Sequence, residues 1–420
     1  MSADLHDRDR RHSWHPYTQH GLETSFLGVT GAEGNKLKLD DGRVVIDGIS
    51  SWWATLHGHG HPKLVEAMTQ QAQSLDHVLF AGCTHEPAVQ LADELSHATP
   101  GQLTRAFFSD DGSTAVEVAL KMALQSWVLR GQPQRKVFLA LDGGYHGDTF
   151  GAMSVGDPDP FFLPFAPLLF EAKRVPAEIG ALESALEELG DRCAGFLLEP
   201  LVQGAAGMKM HPVEFLQDAR RACTQHGVPL IADEVMTGFG RTGSLFACQK
   251  AGIAPDLLCL AKGLTGGMLP LAVTMATEEL FELFLSENRG YALFHGHTFT
   301  AHPIGCAVAL ASLELNRAED TPARLDHVGR EIEAALTEEL GESTELIRNL
   351  RRTGGIVAFD LIGDDEGYFT SKAPALRAES LAHGVLLRPL GETIYALPPS
   401  CTSDDECRVI ALAMASLARL

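Results

Sequence analysis

The chain reads as an α/β protein with a large domain built on a mostly parallel sheet and a smaller α+β C-terminal domain. Three observations predict this. Over residues 61–315 short apolar runs alternate with helical stretches, the pattern of a parallel sheet covered by helices on both faces. Past Asn316 that alternation stops, and residues 316–420 carry fewer elements in a different order. The 420 residues are 45% hydrophobic, enough to fill two cores.

The elements come in this order. Residues 35–47 hold two alternating runs joined by Asp41-Gly42, which predicts a hairpin with a type I′ turn. Apolar strands are expected at 105–109, 136–141, 195–198, 228–233 and 256–260, with helices such as 115–130 and 213–226 between them. The C-terminal part reads as a helix at 324–340, a strand at 355–361, a helix, a strand pair around 385–397 and a final helix. Ser403-x-x-Glu406 is a capping box for that last helix.

Composition removes several function classes. With 33 basic and 55 acidic residues the net charge is −22, the wrong sign for nucleic acid or an anionic membrane. No run approaches the roughly 20 apolar residues of a membrane helix; the greasiest stretch, 161–170, contains two prolines. Asp4, Asp7, Arg8, Asp9, Arg10 and Arg11 leave no apolar core for a secretory signal. Eight scattered cysteines without a C-x-x-C pair predict reduced thiols in a cytoplasmic protein, not a disulfide scaffold or a zinc site.

In such sheets ligands bind where the strands end. The strand at 256–260 ends in Ala261-Lys262-Gly263-Leu264-Thr265-Gly266-Gly267. A lysine among glycines, partly desolvated, has a lowered pKa and can form a Schiff base with an aldehyde; the alternative is a lysine reaching water. Asp233 closes another apolar strand, where a buried carboxylate needs a cation or donors. A protonated pyridine nitrogen, as in pyridoxal phosphate, fits that need, as would a structural ion pair or a helix cap. Ser109-Asp110-Asp111-Gly112-Ser113-Thr114 precedes a helix and could cradle a phosphate, or Ser113 or Thr114 could simply cap it. Gly238-Phe239-Gly240-Arg241-Thr242-Gly243 matches a dinucleotide fingerprint literally, but no helix opens on it and no acidic residue comes at the required distance. His57, His59 and His61 lack a nearby carboxylate or thiol, so no metal is expected.

Taken together these pieces resemble the class III, ω-amino-acid type of aminotransferases, which use pyridoxal 5′-phosphate. The most specific stretch is Leu230-Ile231-Ala232-Asp233-Glu234-Val235-Met236-Thr237-Gly238-Phe239-Gly240-Arg241-Thr242-Gly243, with Lys262 coming 29 residues after the aspartate. The resemblance implies fold type I with a seven-stranded sheet, a segment 1–60 packing on the small domain and the active site, and a homodimer with shared sites. It gives Lys262 to the cofactor aldehyde, Asp233 to the ring nitrogen, and Gly112, Ser113 and His297 to cofactor binding. Tyr145 stacks on the ring, and Thr298 reaches the phosphate of the neighbouring subunit.

Trp14-His15-Pro16-Tyr17-Thr18, Ser50-Ser51-Trp52-Trp53-Ala54, Gly144-Tyr145-His146-Gly147-Asp148-Thr149-Phe150 and Leu387-Arg388-Pro389-Leu390-Gly391 resemble one branch of the family. Its members move an amino group from S-adenosylmethionine to 8-amino-7-oxononanoate in biotin biosynthesis; some use lysine as donor. Other branches act on ornithine, 4-aminobutyrate or diamines. The resemblance places Tyr17, Trp52, Tyr145, Lys262 and Gly296 around the substrate, with Arg388 on its carboxylate, for which a planar guanidinium fork is suited. Three positions depart from the family: Asp111 stands for a serine, His297 for a proline, and Ala301-His302 for a glycine–asparagine pair. Cofactor affinity is the property that Asp111 and His297 touch.

Overall fold

Apolar content decides which strands lie at the centre of the main sheet. The computed structural model describes residues 2–22, 26–157, 161–363 and 372–420. Its seven-stranded sheet runs in the order Leu103–Ser109, Ala272–Thr277, Leu257–Leu260, Leu230–Asp233, Cys193–Leu198, Val137–Leu141 and Ala172–Val175. Only Ala272–Thr277 runs antiparallel to its neighbours; the other pairings are parallel. The four inner parallel strands are buried at every residue, so they read as apolar runs. Along Val137–Leu141 the two faces part cleanly. Val137, Leu139 and Leu141 enter one core, whereas Phe138 and Ala140 enter the other.

Two strands of this sheet escape sequence reading. Ala172–Val175 is an edge strand whose Lys173 and Arg174 mask it; Lys173 pairs with Glu188, and Arg174 donates to the Gly156 carbonyl at 2.6 Å. Ala272–Thr277 comes after the glycine string and interrupts its apolar run with Thr274, whose hydroxyl donates to the Ala115 carbonyl at 2.7 Å.

The C-terminal part carries an antiparallel sheet of Ile347–Thr353, Ile356–Leu361 and Thr393–Ala396 with the helices Thr321–Leu340, Ala373–Ala382 and Asp404–Leu417. The capping box at Ser403 and Glu406 forms on the last helix. The strand pair expected around 385–397 is not a pair. Val385–Leu386 leaves for the N-terminal sheet, parallel to Val44–Asp47, whereas Thr393–Ala396 joins Ile356–Leu361. Pro389, which has no N–H, sits in the irregular segment between them.

The 35–47 hairpin forms, but its turn is not type I′. Of the two central residues only Gly42 has positive φ, at +90°. The Asp41 carboxylate accepts the Arg43 N–H at 2.9 Å, a side-chain turn that keeps Asp41 out of the left-handed region.

One side chain ties the N-terminal segment to both other parts. Arg241 is 1% exposed. It donates to the carbonyls of Pro398 at 2.9 Å, Thr55 at 3.1 Å and Trp53 at 3.4 Å. Burial depresses the guanidinium pKa to about 9. Arg241→Met leaves three carbonyls without their donor and is expected to cost about 3 kcal/mol. Chemical denaturation of the purified variant checks this through its midpoint.

Candidate active site

All the polar groups singled out at strand ends converge on the carboxyl edge of the sheet. A cavity of about 430 Å³ there is lined by Trp53, Asp111, Gly112, Ser113, Tyr145, His146, Gly147, Asp148, Thr149, Glu199, Asp233, Val235, Met236 and Lys262. A second chamber, also about 430 Å³, shares Trp53, Tyr145, Asp148 and Lys262 with the first and adds Tyr17, Trp52, Phe161, Arg388 and Tyr395. Lys262 therefore stands where the two meet.

Lys262 lies just past Leu257–Leu260 in a left-handed conformation, φ +47°, and its Nζ lies 4.5 Å from the centre of the Trp53 ring. Burial draws its pKa down to about 8; the Asp233 and Glu199 carboxylates oppose the shift and Arg241 adds to it. Asp233, 5% exposed, ends its strand with one oxygen 2.7 Å from His146 Nδ1 and the other accepting the Val235 N–H at 3.1 Å. His146 Nε2 is buried and has no partner among the described residues.

The helix Gly112–Leu129 points its N-terminus at the cavity, but neither Ser113 nor Thr114 caps it. Asp111 does, accepting the Thr114 N–H at 2.9 Å. Its carboxylate is thus occupied by the cap, while Gly112 and Ser113 line the cavity. Ser113 Oγ lies 2.8 Å from Thr149 Oγ1. Gly147, at φ +114°, keeps this wall open, because a Cβ there would come within 2.4 Å of Ser113 Oγ.

The residues present suit pyridoxal phosphate. Its phosphate requires a helix N-terminus and hydroxyl donors, its ring nitrogen a buried carboxylate, and its aldehyde a lysine that can lose its proton. Gly112, Ser113 and Thr149 meet the first need, Asp233 the second and Lys262 the third, all on one cavity. Tyr145 adds an aromatic wall.

The second chamber is shaped by a strained turn. Ser50, Ser51, Trp52 and Trp53 all have positive φ, from 45° to 73°, a conformation costing roughly 1–2 kcal/mol per residue. Asp47 holds it: its carboxylate accepts the Ser51 N–H at 2.9 Å and the Ser51 hydroxyl at 2.6 Å, with His59 Nε2 also 2.9 Å away. Burial alone would raise the Asp47 carboxyl, but His59 and Ser51 outweigh it and hold it below its ordinary value. Trp53 Nε1 donates to Tyr395 Oη at 3.1 Å. Trp52 faces the chamber and carries the Arg388 guanidinium over its ring at 4.2 Å. Arg388 has no carboxylate partner among the described residues.

Tyr17 donates to Asp148 Oδ1 at 2.6 Å and Tyr145 does so at 3.2 Å. Burial, and the carboxylate between them, push both phenols above their ordinary pKa, so they remain O–H donors.

Thus Lys262, Asp233, Tyr145, Gly112, Ser113, Tyr17, Trp52 and Arg388 come together. Gly296 and Thr298 do not: both are exposed and line neither chamber. His297 reaches no further than 3.9 Å from Asp110, beside the cradle. His302 caps the helix Pro303–Ala318, accepting the Gly305 N–H at 3.3 Å. The three histidines at 57, 59 and 61 have separate partners: Ser312, Asp47 and Glu319.

Sequence reasoning missed His146, Asp148, Thr149 and Glu199. Glu199 obeys the strand-end rule that found Asp233, since it sits directly after Cys193–Leu198. Its two oxygens accept the N–H groups of Tyr145 at 3.1 Å and Gly204 at 2.8 Å, and burial pushes its pKa up to about 7. Asp148 gives no such signal, because its partner Tyr17 is 131 residues away.

Comparison with known proteins agrees with this geometry. The family model described as aminotransferase class III matches residues 17–417. The chain is 49% identical to the adenosylmethionine-8-amino-7-oxononanoate aminotransferase of Synechococcus elongatus, over 97% of this chain and 98% of that one. It is 39% identical to the enzyme of that name from Geobacter sulfurreducens, over 96% and 94%. The crystal structure of the same enzyme from Methanocaldococcus jannaschii superposes with a TM-score of 0.93 at 35% identity, covering 100% and 99%. A PLP-bound amine transaminase from an uncultivated Pseudomonas species gives 0.88 at 32% identity, over 97% and 98%.

The charges around Lys262 set its reactivity. In cofactor-free protein, condensation of Lys262 with pyridoxal is expected to rise with pH around a midpoint near 8, where an ordinary lysine would titrate near 10.5. Because Asp233 and Glu199 favour the ammonium, Asp233→Asn moves that midpoint down, and Glu199→Gln does so by less. A stopped-flow pH series checks the order; a midpoint unmoved in both variants contradicts this account.

Proposed function

Since the chain belongs to the class III aminotransferases, we propose that it moves an amino group from S-adenosylmethionine to 8-amino-7-oxononanoate, giving 7,8-diaminononanoate in biotin biosynthesis. The observation that carries this is the near full-length identity, up to 49%, with enzymes of that name, joined to a cavity whose Lys262 and Asp233 match the chemistry. The cofactor is pyridoxal phosphate.

When bound, pyridoxal phosphate supplies an aldehyde that captures the donor's amino group and an electron-poor ring that absorbs the charge left by the donor's α-proton. Lys262 would hold the aldehyde, then serve as the base that takes the α-proton and the acid that returns it. Its pKa near 8 leaves a useful fraction as free amine near neutral pH. Asp233, fixed by His146, keeps a proton on the ring nitrogen. Gly112, Ser113 and Thr149 take the phosphate, and Tyr145 packs on the ring. Arg388, braced on Trp52, receives a substrate carboxylate, while Tyr17 and Trp52 close the chamber. Both substrates present their reacting atoms to one Lys262, so they bind in turn and the first product leaves before the acceptor enters.

The exposed Gly296 and Thr298 fit a homodimer in which each chain completes the other's phosphate site. Phe294 and Phe299, 76% and 51% exposed beside them, supply an apolar surface for that contact. Eight free cysteines suit a reducing cytoplasm, where we place the reaction. Among the described residues no helix is long and apolar enough to cross a membrane.

The purified protein is expected to be yellow and to lose its visible absorbance on addition of S-adenosylmethionine, with recovery on addition of 8-amino-7-oxononanoate. Bleaching by lysine, but not by S-adenosylmethionine, contradicts the donor. Lys262→Ala abolishes the absorbance change, and Arg388→Ala lowers the second-order rate constant of the acceptor half-reaction about 100-fold, the loss of roughly 2.7 kcal/mol of charge-assisted binding.

A further inference from the structure

The hairpin that follows Glu199 is held from the C-terminal sheet. Val202–Gln203 pairs antiparallel with Lys209–Met210, and residues 204–208 form the tip between them. Gly204, at the base of the tip, donates its N–H to Glu199 at 2.8 Å. It also packs against the ring beside Lys262, since a Cβ on Gly204 would come within 3.1 Å of Trp53. The tip then turns back on itself, with the Met208 N–H reaching the Gly204 carbonyl at 3.0 Å. Gly207 and Met208 both have positive φ, +74° and +52°. For Met208, which has a Cβ, that conformation is unfavourable and requires support from outside the turn.

The support comes from one side chain. Arg351 Nε donates to the Met208 carbonyl at 3.0 Å, and Nη2 donates to the Gly207 carbonyl. Asp360 fixes the guanidinium from behind, accepting from Nη2 at 2.8 Å and from Nη1 at 3.2 Å. The Thr393 hydroxyl at 2.9 Å and the Asn349 amide at 3.1 Å fix Asp360 in turn. A Cβ at Gly207 would meet the Thr393 hydroxyl at 2.6 Å, so tip and cluster are in direct contact. The strand that carries Arg351 is itself distorted. Pairing of Ile347–Thr353 with Ile356–Leu361 slips between Arg348 and Arg351, where Asn349 has φ +54°. An irregularity of this kind re-aims the side chains beside it. Arg351 lines neither chamber, yet strained backbone on both sides of its contact ends at a residue of the active site.

Resting on Lys262 as the residue that takes the cofactor aldehyde, we propose that Arg351 is a positioning residue for the active site. It sets the tip 204–208, the tip sets the Gly204 N–H, and that N–H sets the Glu199 carboxylate in the cavity of Lys262. The charged and titratable groups facing Glu199 there are His146, Asp233 and Lys262. Its two backbone donors, Gly204 and Tyr145, favour its ionised form. Without the Gly204 N–H, Glu199 keeps its proton to higher pH, and Lys262 loses negative charge that favours its ammonium.

The test reads the amide and the lysine separately, in the full chain. Hydrogen exchange of the cofactor-loaded protein is expected to be about tenfold faster at Gly204 in Arg351→Met, the loss of a hydrogen bond to a charged acceptor. In cofactor-free protein the pH midpoint for condensation with pyridoxal moves down, as in Glu199→Gln and by no more. Adding Arg351→Met to Glu199→Gln moves it no further, because the path through Glu199 is already cut. Arg351→Lys keeps a cation for Asp360 but cannot serve both carbonyls. It shows the same changes at smaller size and carries the test if Arg351→Met does not fold. Unchanged exchange at Gly204, a midpoint that moves in Glu199→Gln but not in Arg351→Met, or shifts of the two that add, each overturns the proposal. Faster exchange at Gly204, with a midpoint that Glu199→Gln itself does not move, keeps Arg351 as the positioning residue of Glu199 and overturns the charge balance drawn for Lys262.

Discussion

A buried cation holds the active site together. Arg241 lies in the glycine string beyond Asp233, yet each of its hydrogen bonds goes to another part of the molecule: to Trp53 and Thr55 of the N-terminal segment and to Pro398 of the C-terminal part. A guanidinium removed from water requires such acceptors, and backbone carbonyls give them without a second buried charge. The left-handed turn at 50–53 has its exit fastened there and its entrance fastened to Asp47. Trp53, under Lys262, and Trp52, under Arg388, inherit their places from these two anchors. The strain in that turn is local, and the interactions that offset it come from elsewhere in the fold.

The cavity itself balances opposed charges. Lys262 lies between burial, which favours the free amine, and the carboxylates of Asp233 and Glu199, which favour the ammonium. Glu199 sits in the same low-dielectric site and holds its proton up to about pH 7. Its two backbone hydrogen bonds also fix the loops that carry Tyr145 and Gly204, so one side chain shapes both the electrostatics and the walls. Asp111 offers a second economy. Its carboxylate, a like charge beside a phosphate site, is turned to a helix N–H, and it leaves the first residues of the helix to line the cavity.

Much of this was legible in the sequence, for physical reasons. Buried parallel strands are uniformly apolar, so a lysine or an aspartate at their ends stands out, and Lys262 and Asp233 were found this way. The family resemblance added Tyr17, Trp52 and Arg388, whose roles depend on distant parts of the chain meeting. Edge strands were harder: Ala172–Val175 carries charges because half of it faces water. The I′ turn failed because Asp41 satisfies a neighbouring N–H with its own side chain, a local competition that a dipeptide rule does not see. The strands around 385–397 divided between two sheets because a strand pairs with its neighbour in space, which need not be its neighbour along the chain. His146 and Asp148 were hidden in plain view, one residue and three residues past Tyr145, because nothing in their spacing reveals a partner on another element.

Under the function proposed above, the acidic balance of the chain acts differently on the donor, the acceptor and the cofactor. S-adenosylmethionine is a net cation, and a surface of net charge −22 draws it inward over distances comparable to the Debye length. The acceptor, with one amino group and one carboxylate, is indifferent at long range. The cofactor, a phosphate ester, arrives against the field and is held only by short-range contacts at the helix N-terminus and Lys262. Raising the ionic strength therefore slows encounter with the donor, leaves the acceptor nearly unchanged and eases entry of the cofactor. The same charge that keeps nucleic acids away thus gives the enzyme a salt-dependent preference among its own visitors.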